Sequence, residues 1–398
     1  MNAEVKSIID STINGLDREL RDISLKIHDN PETGEKEYKA AALLSDYLEQ
    51  KGFTVTRGAA GLPTAFIAEY SSGQPGRRIG YCAEYDALPG VGHGCGHNLI
   101  AISGLACAIA TRALMEKGLL KGSVTLFGTP AEESTSGKID LVQTGEIQKR
   151  TDVVLMLHPF AHDGIYPLML ALDSVKFEFF GRTSHAGMKP WEGINALDAL
   201  MQGYDNVSML RQQTLTTNRV HGIITHGGSR PNVIPDYASA FFYVRAVTRN
   251  QLKEFKDKVE NCFKAAAVAT GCRLEATWAA KGPVEDVFMN DTMAQYYKEY
   301  MEMEGAHFLP RAEEEKVTTG STDCGNVSYV VPTIHPGFSI GTNAANHTVE
   351  FTKATATEYA HGCTLRAARC LAMTAATVSL DADVYRAVVA DFEKGKPQ

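Results

Sequence analysis

The chain has no run rich in lysine and arginine, and its 39 basic residues fall short of its 47 acidic ones, giving a net charge of −8. A nucleic-acid surface needs basic excess to neutralise phosphates, so that class of partner is excluded. A membrane span is not expected either, because bilayers require ~20 apolar residues. The apolar run from Ile100 to Ala110 is shorter and is diluted by small side chains. Met1 to Ser7 lack a basic start followed by an apolar stretch, so no secretory leader is expected there. There is no internal repeat and no low-complexity linker. The eight cysteines, at 82, 95, 107, 262, 272, 324, 363 and 370, are scattered along the chain. Such spacing argues against a disulfide framework and makes the cytoplasm the expected compartment.

At 398 residues the chain exceeds the ~250–300 at which one core stops growing, so two domains are expected. Apolar residues recur at helical spacing through 4–29, Asn30 to Gly34 breaks the pattern, and 35–51 reads as a second amphipathic helix. Strands are expected at 53–56, 64–69 and 79–83, followed by a buried helix at 98–117. Strands at 123–128 and 153–157 flank a helix after Gly137. This alternation predicts an α/β fold with a mostly parallel sheet covered on both faces. From 172 the order becomes strand 173–180, helix 195–213, strands 219–225 and 238–246, helix 250–270 and strand 273–279. That βαββαβ order marks a split-βαβ, ferredoxin-like module. The α/β texture then resumes with a helix at 291–304, a Gly/Ser/Thr loop at 318–325 and a long helix from about Thr352. One discontinuous domain, 1–171 with 283–398, is therefore expected to carry an inserted module at 172–282.

The densest chemical signal is Gly92-His93-Gly94-Cys95-Gly96-His97-Asn98. Glycines around Cys95 free the backbone for a tight path, and a thiolate and an imidazole two residues apart suit zinc or manganese. By itself, Cys-x-His more often means a turn with a solvated histidine and a buried thiol. A second cluster, Glu132-Glu133, follows strand 123–128 at its carboxyl end, where open α/β sheets bind ligands. Two adjacent acids on a loop are ordinarily just solvated. His158 closes the apolar run 153–157 at another carboxyl end, and His347 lies in the distant loop Asn343 to Thr348. The conjunction outweighs each bland reading, because successive strands deliver metal-compatible groups to one sheet edge. Cys95, His97, Glu133, His158 and His347 are donors enough for two ions, with Glu132 free to act as general base.

Taken with Ile27-His28-Asp29-Asn30-Pro31-Glu32, Asp86-Ala87-Leu88-Pro89 and Gly181-Arg182-Thr183-Ser184-His185-Ala186, these motifs resemble metallopeptidase family M-20, amidohydrolase subfamily D. The likeness runs essentially end to end. Within the subfamily, Ala83 to Gly90, Gly96 to Ala101 and Gly320 to Ser328 are most similar to a branch of β-alanyl-lysine or Xaa-Arg dipeptidases. Asn98 departs from the Asp of most of the subfamily, a feature shared with aminobenzoyl-glutamate hydrolases.

The resemblance implies a metal-binding catalytic domain with the 172–282 module as lid and homodimer interface. It also implies two divalent ions, zinc or manganese, held by Cys95, His97, Glu133, His158 and His347. Which atom bridges the ions is left open, Cys95 among the candidates. Glu132 is implied as the base and His185 as an oxyanion donor, in some relatives supplied across the dimer. Asp86 either orients a ligand beside the metals or simply forms a turn, and His93 is open in the same way. Asn232 resembles a substrate-binding residue, as does Arg245, for which an edge salt bridge is the competing reading. The loop with Thr322 and Asp323 resembles a substrate wall. The implied reaction is amide hydrolysis of a small dipeptide or N-acyl amino acid; the alternative is an aminobenzoyl-glutamate or secondary-metabolite substrate at the same site.

Two further classes fit parts of the pattern. A Cys–His nucleophilic hydrolase on Cys95 would survive chelation, unlike a metal enzyme. A non-catalytic metal-binding scaffold would have no use for Glu132, which has no evident structural duty.

Overall fold

A computed structural model describes residues 2–316 and 318–395. The chain forms two compact units, one comprising residues up to Leu168 and from Val287 onward, the other Met169–Asp286.

The first unit is built on a six-stranded sheet in the spatial order Thr54–Arg57, Phe66–Ser71, Gly122–Gly128, Arg77–Ala83, Val153–Leu155, Thr333–Ile334. The last four of these strands are mutually parallel, and the first two pair antiparallel at the other edge. Parallel strands are covered on both faces and read as continuous apolar runs. Accordingly Ile79, Tyr81, Val124, Leu126 and Val153 to Leu155 are all fully buried.

The helix His97–Glu116 is long and apolar enough to cross a membrane, yet it is almost entirely buried inside this unit. Its small residues explain the fit. A Cβ on Gly104 would lie 3.0 Å from Leu126 Cδ1 and 3.1 Å from the Cys82 carbonyl, so the helix rides directly on the sheet.

Three sequence expectations are corrected here. The helical pattern 4–29 is two helices, Ala3–Gly15 and Asp17–His28. Gly15 weakens the continuation, and Asp17 and Glu19 favour a new N-terminus. The long C-terminal helix is three, Val349–Thr355, Glu358–Leu380 and Ala382–Gly395. Thr348 and Thr357 start the first two by accepting the backbone N–H of Phe351 and Ala360. Finally, the sheet strand expected at 153–157 stops at Leu155, and His158–Phe160 pairs separately with Gly337–Ser339.

The second unit is a four-stranded antiparallel sheet in the order Arg273–Trp278, Ala171–Phe180, Tyr237–Ala246, Arg219–His226. The strands first and third in sequence are central, as a split-βαβ module requires. Strand Ala171–Phe180 alternates buried and half-buried residues, which turns Val175, Phe177 and Phe179 to the core. The helices Ala196–Met209 and Arg249–Thr270 pack there, with Phe263 stacked on Phe177 at 3.8 Å between ring centroids. Buried Asp173 is paired with Lys256. The edge strand Arg219–His226 leaves Ile223 66% and Ile224 42% exposed.

Candidate metal centre

The parallel strands bring the predicted donors to one sheet edge. Arg77–Ala83 leads into Glu84 and Asp86, Gly122–Gly128 into Glu132 and Glu133, and Val153–Leu155 toward His158. Between the first two strands, Gly96 starts the helix His97–Glu116 in the left-handed conformation (φ 80°). A Cβ at that position would also lie 2.5 Å from Pro159, so only glycine lets Cys95 and His97 approach His158-Pro159 so closely.

Ligand atoms of Cys95, His97 and His158 all lie within 4.8 Å of one another, and so do those of Cys95, Glu133 and His347. The Cys95 sulfur is common to both sets. It stands 3.4 Å from His158 Nε2, while His347 Nε2 is 3.2 Å from Glu133 Oε1. A third set, Glu84, His97 and Glu132, shares His97 with the first. Glu132 Oε2 is 4.0 Å from His97 Nε2.

Asp86 is fully engaged: Oδ1 accepts from His97 Nδ1 at 2.9 Å and Oδ2 from the Glu133 backbone N–H at 2.9 Å. It therefore fixes the ring of His97, leaving Nε2 to face the centre, and the backbone of Glu133 together. The loop before the two glutamates needs its own support, since Ala131 is left-handed at φ 61°. Buried Glu37 supplies it, accepting the Ala131 N–H at 2.8 Å and the Thr64 hydroxyl at 2.9 Å. His347 is likewise left-handed (φ 68°) and is held by its N–H on the Gly94 carbonyl at 2.8 Å. Strain at a non-glycine residue of this kind collects where a site demands it.

Electrostatics mark the same place. Burial pushes the Cys95 thiol up, and the Glu133 charge pushes it further. Burial with the charges of Glu84 and Glu133 holds the Glu132 carboxyl well above the usual range. His158 is driven well below its ordinary value by burial, then by His335 and His97. For His97 burial acts downward, but Asp86 and Glu84 outweigh it and leave the ring well above normal. His97 Nε2 and Glu133 Oε1 are buried without a hydrogen-bond partner. Buried imidazole and carboxylate atoms that lack hydrogen bonds, gathered beside a buried thiol, fit a divalent cation, whose charge reverses these penalties.

The remaining predicted residues fall elsewhere. Asp323 is buried and accepts from Lys138, through both Nζ and the backbone N–H; Thr322 accepts the Cys324 N–H at 3.3 Å. Buried His93 hydrogen-bonds the Ile27 carbonyl at 3.1 Å, and Asn98 donates to Ser24 and the Thr355 carbonyl.

His185, Asn232 and Arg245 belong to the second unit. The first two are exposed and adjacent, since His185 bridges Val233 and the Ala186 N–H donates to the Asn232 carbonyl. Half-buried Arg245 lies at the far end of strand Tyr237–Ala246, opposite Leu172 where the chain enters the unit. From Tyr237 to Arg245 the strand covers roughly 26 Å.

Sequence reasoning missed Glu37, Lys138 and His335. His335 is fully buried, 5.5 Å from His158 between ring centroids, and neither ring nitrogen has a partner. A lone acid, lysine or histidine carries no spacing signal, so only its neighbours reveal it.

Comparison with known proteins bears on the whole chain. The Peptidase dimerisation domain family matches residues 171–271. An Xaa-Arg dipeptidase of Mus musculus is 40% identical over 381 residues, spanning 93% of this chain and 88% of the relative. A p-aminobenzoyl-glutamate hydrolase component of Escherichia coli (strain K12) is 29% identical, spanning 96% and 94%. A solved dinuclear metal binding peptidase of the same family from Bacillus subtilis superposes with a TM-score of 0.64 at 20% identity, over 89% of this chain and 98% of that one. With donors for metal gathered at the sheet edge and this likeness along nearly its full length, the chain belongs to metallopeptidase family M-20, a family of amide- and peptide-bond hydrolases.

Proposed function

We propose that this chain is a dipeptidase that cleaves a small dipeptide or N-acyl amino acid at a pair of divalent cations, zinc or manganese. The observation that carries this reading is the Cys95 sulfur shared between two donor sets, with Glu132 beside them. One ion is assigned to Cys95, His97 and His158, the other to Cys95, Glu133 and His347. When bound, such ions polarise a scissile carbonyl and bring the pKa of water toward ~7.

Glu132 takes the proton from the attacking water and returns it to the leaving amine. Burial near Glu84 and Glu133 raises the proton affinity of its carboxyl, as a group that must hold and release a proton requires. Asp86 keeps His97 in one tautomer and orientation. His185 is assigned as donor to the developing oxyanion, Asn232 as a substrate contact, and Arg245 as the bidentate grip on the substrate carboxylate. Thr322 and Asp323, expected in a substrate wall, are instead buried, with Asp323 held by Lys138.

Likeness to the Xaa-Arg dipeptidase favours a dipeptide with a basic C-terminal residue. The aminobenzoyl-glutamate relative supports a second reading, an aromatic N-acyl amino acid, at lower identity.

His185 and Arg245 sit at opposite ends of one strand, so one copy of the module cannot offer both to a dipeptide-sized substrate. Two copies can, if each lends His185 to the other. The exposed edge strand with Ile223 and Ile224 supports a homodimer joined there. All eight cysteines are free, which supports a reducing compartment such as the cytoplasm.

Glu132→Ala tests the centre. Metal content by elemental analysis should be unchanged while kcat falls about 10²–10⁴-fold; unaltered turnover would remove Glu132 from the mechanism. A panel with β-alanyl-lysine, Xaa-Arg dipeptides and N-acyl amino acids separates the substrate readings.

A further inference from the structure

Lys138 is fully buried, and its ammonium lies between two fully buried carboxylates, Glu84 Oε1 and Asp323 Oδ1. The Asp323 carboxylate also accepts the Lys138 backbone N–H at 2.9 Å, which fixes the lysine at the start of its helix. The other oxygen of Glu84 has no hydrogen-bond partner and stands 3.3 Å from His97 Nε2. Glu84 thus reaches into the centre with one oxygen and is tied back by the other.

This arrangement poses a chemical problem. Glu84, His97 and Glu132 form a third set of donors close enough to hold a cation. Carboxylates attract hard divalent ions strongly. A cation captured there would draw His97 away from Cys95 and His158 and would coordinate Glu132, so the base could no longer accept a proton. Three overlapping sets compete, and only two leave Glu132 available.

We propose that Lys138 is a positioning residue that withholds Glu84 from the metals, so that cations settle on the two sets sharing Cys95 and Glu132 stays unligated. The ammonium holds one Glu84 oxygen in a buried ion pair, and Asp323 anchors the ammonium on its far side. Lys138 touches neither substrate nor ion; it acts through Glu84. This inference rests on the two-ion reading of the centre.

The test uses full-length protein reconstituted with Co²⁺, whose thiolate charge-transfer band reports coordination by Cys95. Lys138→Met with Asp323→Asn removes the tether without stranding Asp323. This variant should bind cobalt yet lose most of the thiolate band, with affinity at the Cys95 positions falling about 10- to 100-fold, as is typical when an outer partner of a ligand is removed. Adding Glu84→Gln should restore the band. If the folded double variant keeps the wild-type band and affinity, Lys138 does not withhold Glu84 and the inference falls.

Glu84→Gln alone, which keeps the Lys138–Asp323 pair, covers the case in which the double variant does not fold. It should retain the wild-type cobalt stoichiometry and band; loss of an ion would make Glu84 a ligand and overturn the proposal. Failure of the parent reading looks different, because wild-type protein would then show no thiolate band at all.

Discussion

The two units carry predicted functional residues in opposite ways. In the unit built on the parallel sheet, Cys95, His97 and His158 are buried and crowded together beside half-buried Glu132, and their orientation is fixed by neighbours such as Asp86 and Glu37. In the antiparallel unit, His185 and Asn232 are exposed on loops, and Arg245 lies a whole strand away. The first pattern suits a site that small cations complete, since the unpartnered His97 Nε2 and Glu133 Oε1 are costly to bury unless a cation meets them. In the second, the exposed side chains of His185 and Asn232 are presented outward, where substrate or another copy can meet them. Burial separates what a fold completes internally from what it offers to other molecules.

Four experiments break or sharpen this contrast. Cys95→Ser has the largest expected effect: because both donor sets use this sulfur, elemental analysis should show both ions lost and turnover abolished. Retention of one ion would mean that the sulfur serves a single position.

His185→Ala should lower kcat/KM about 10²–10³-fold at unchanged metal content. Mixed with Arg245→Ala protein, it should regain activity, because a heterodimer has one site that receives both wild-type groups. No recovery after subunit exchange would place both residues at one site of one copy.

Phe263→Ala strikes the antiparallel core, where Phe263 meets Phe177, Phe179 and Phe242. Urea unfolding should report a loss of about 3–5 kcal/mol, with metal content per folded protein unaltered. Coupled loss of metal would show that the two units do not behave independently. Ile223→Glu should shift sedimentation from dimer to monomer with little change in metal content; an unchanged dimer would move the interface off this edge strand.

Cys95, His97 and Glu133 were legible as candidate donors because each carries a local signature. Cys95 and His97 stand in a glycine-rich turn before a helix, and Glu132-Glu133 directly follow a buried strand. The βαββαβ order of the second unit was equally visible, since every element there has a clear period. Helix breaks were read less well: Leu16 and Thr357 interrupt patterns whose apolar spacing continues across them, and the capping hydroxyl of Thr357 is a weaker signal than the period. Lys138 and Glu37 were not legible. Buried charges look like surface charges in a sequence, and their partners lie far off, Asp323 at 185 residues from Lys138 and Ala131 at 94 from Glu37.

By itself, then, the sequence determined the alternation of strands and helices, the inserted module and the types of donor available, because these follow from periodicity and side-chain chemistry along short stretches. Only the tertiary structure decided that the Cys95 sulfur belongs to two donor sets, that Lys138 lies between Glu84 and Asp323, and that Arg245 and His185 occupy opposite ends of a strand. The physical reason is range: hydrophobic patterning acts over a few residues, whereas coordination and buried ion pairing depend on distances of a few ångströms between atoms that the chain itself leaves far apart.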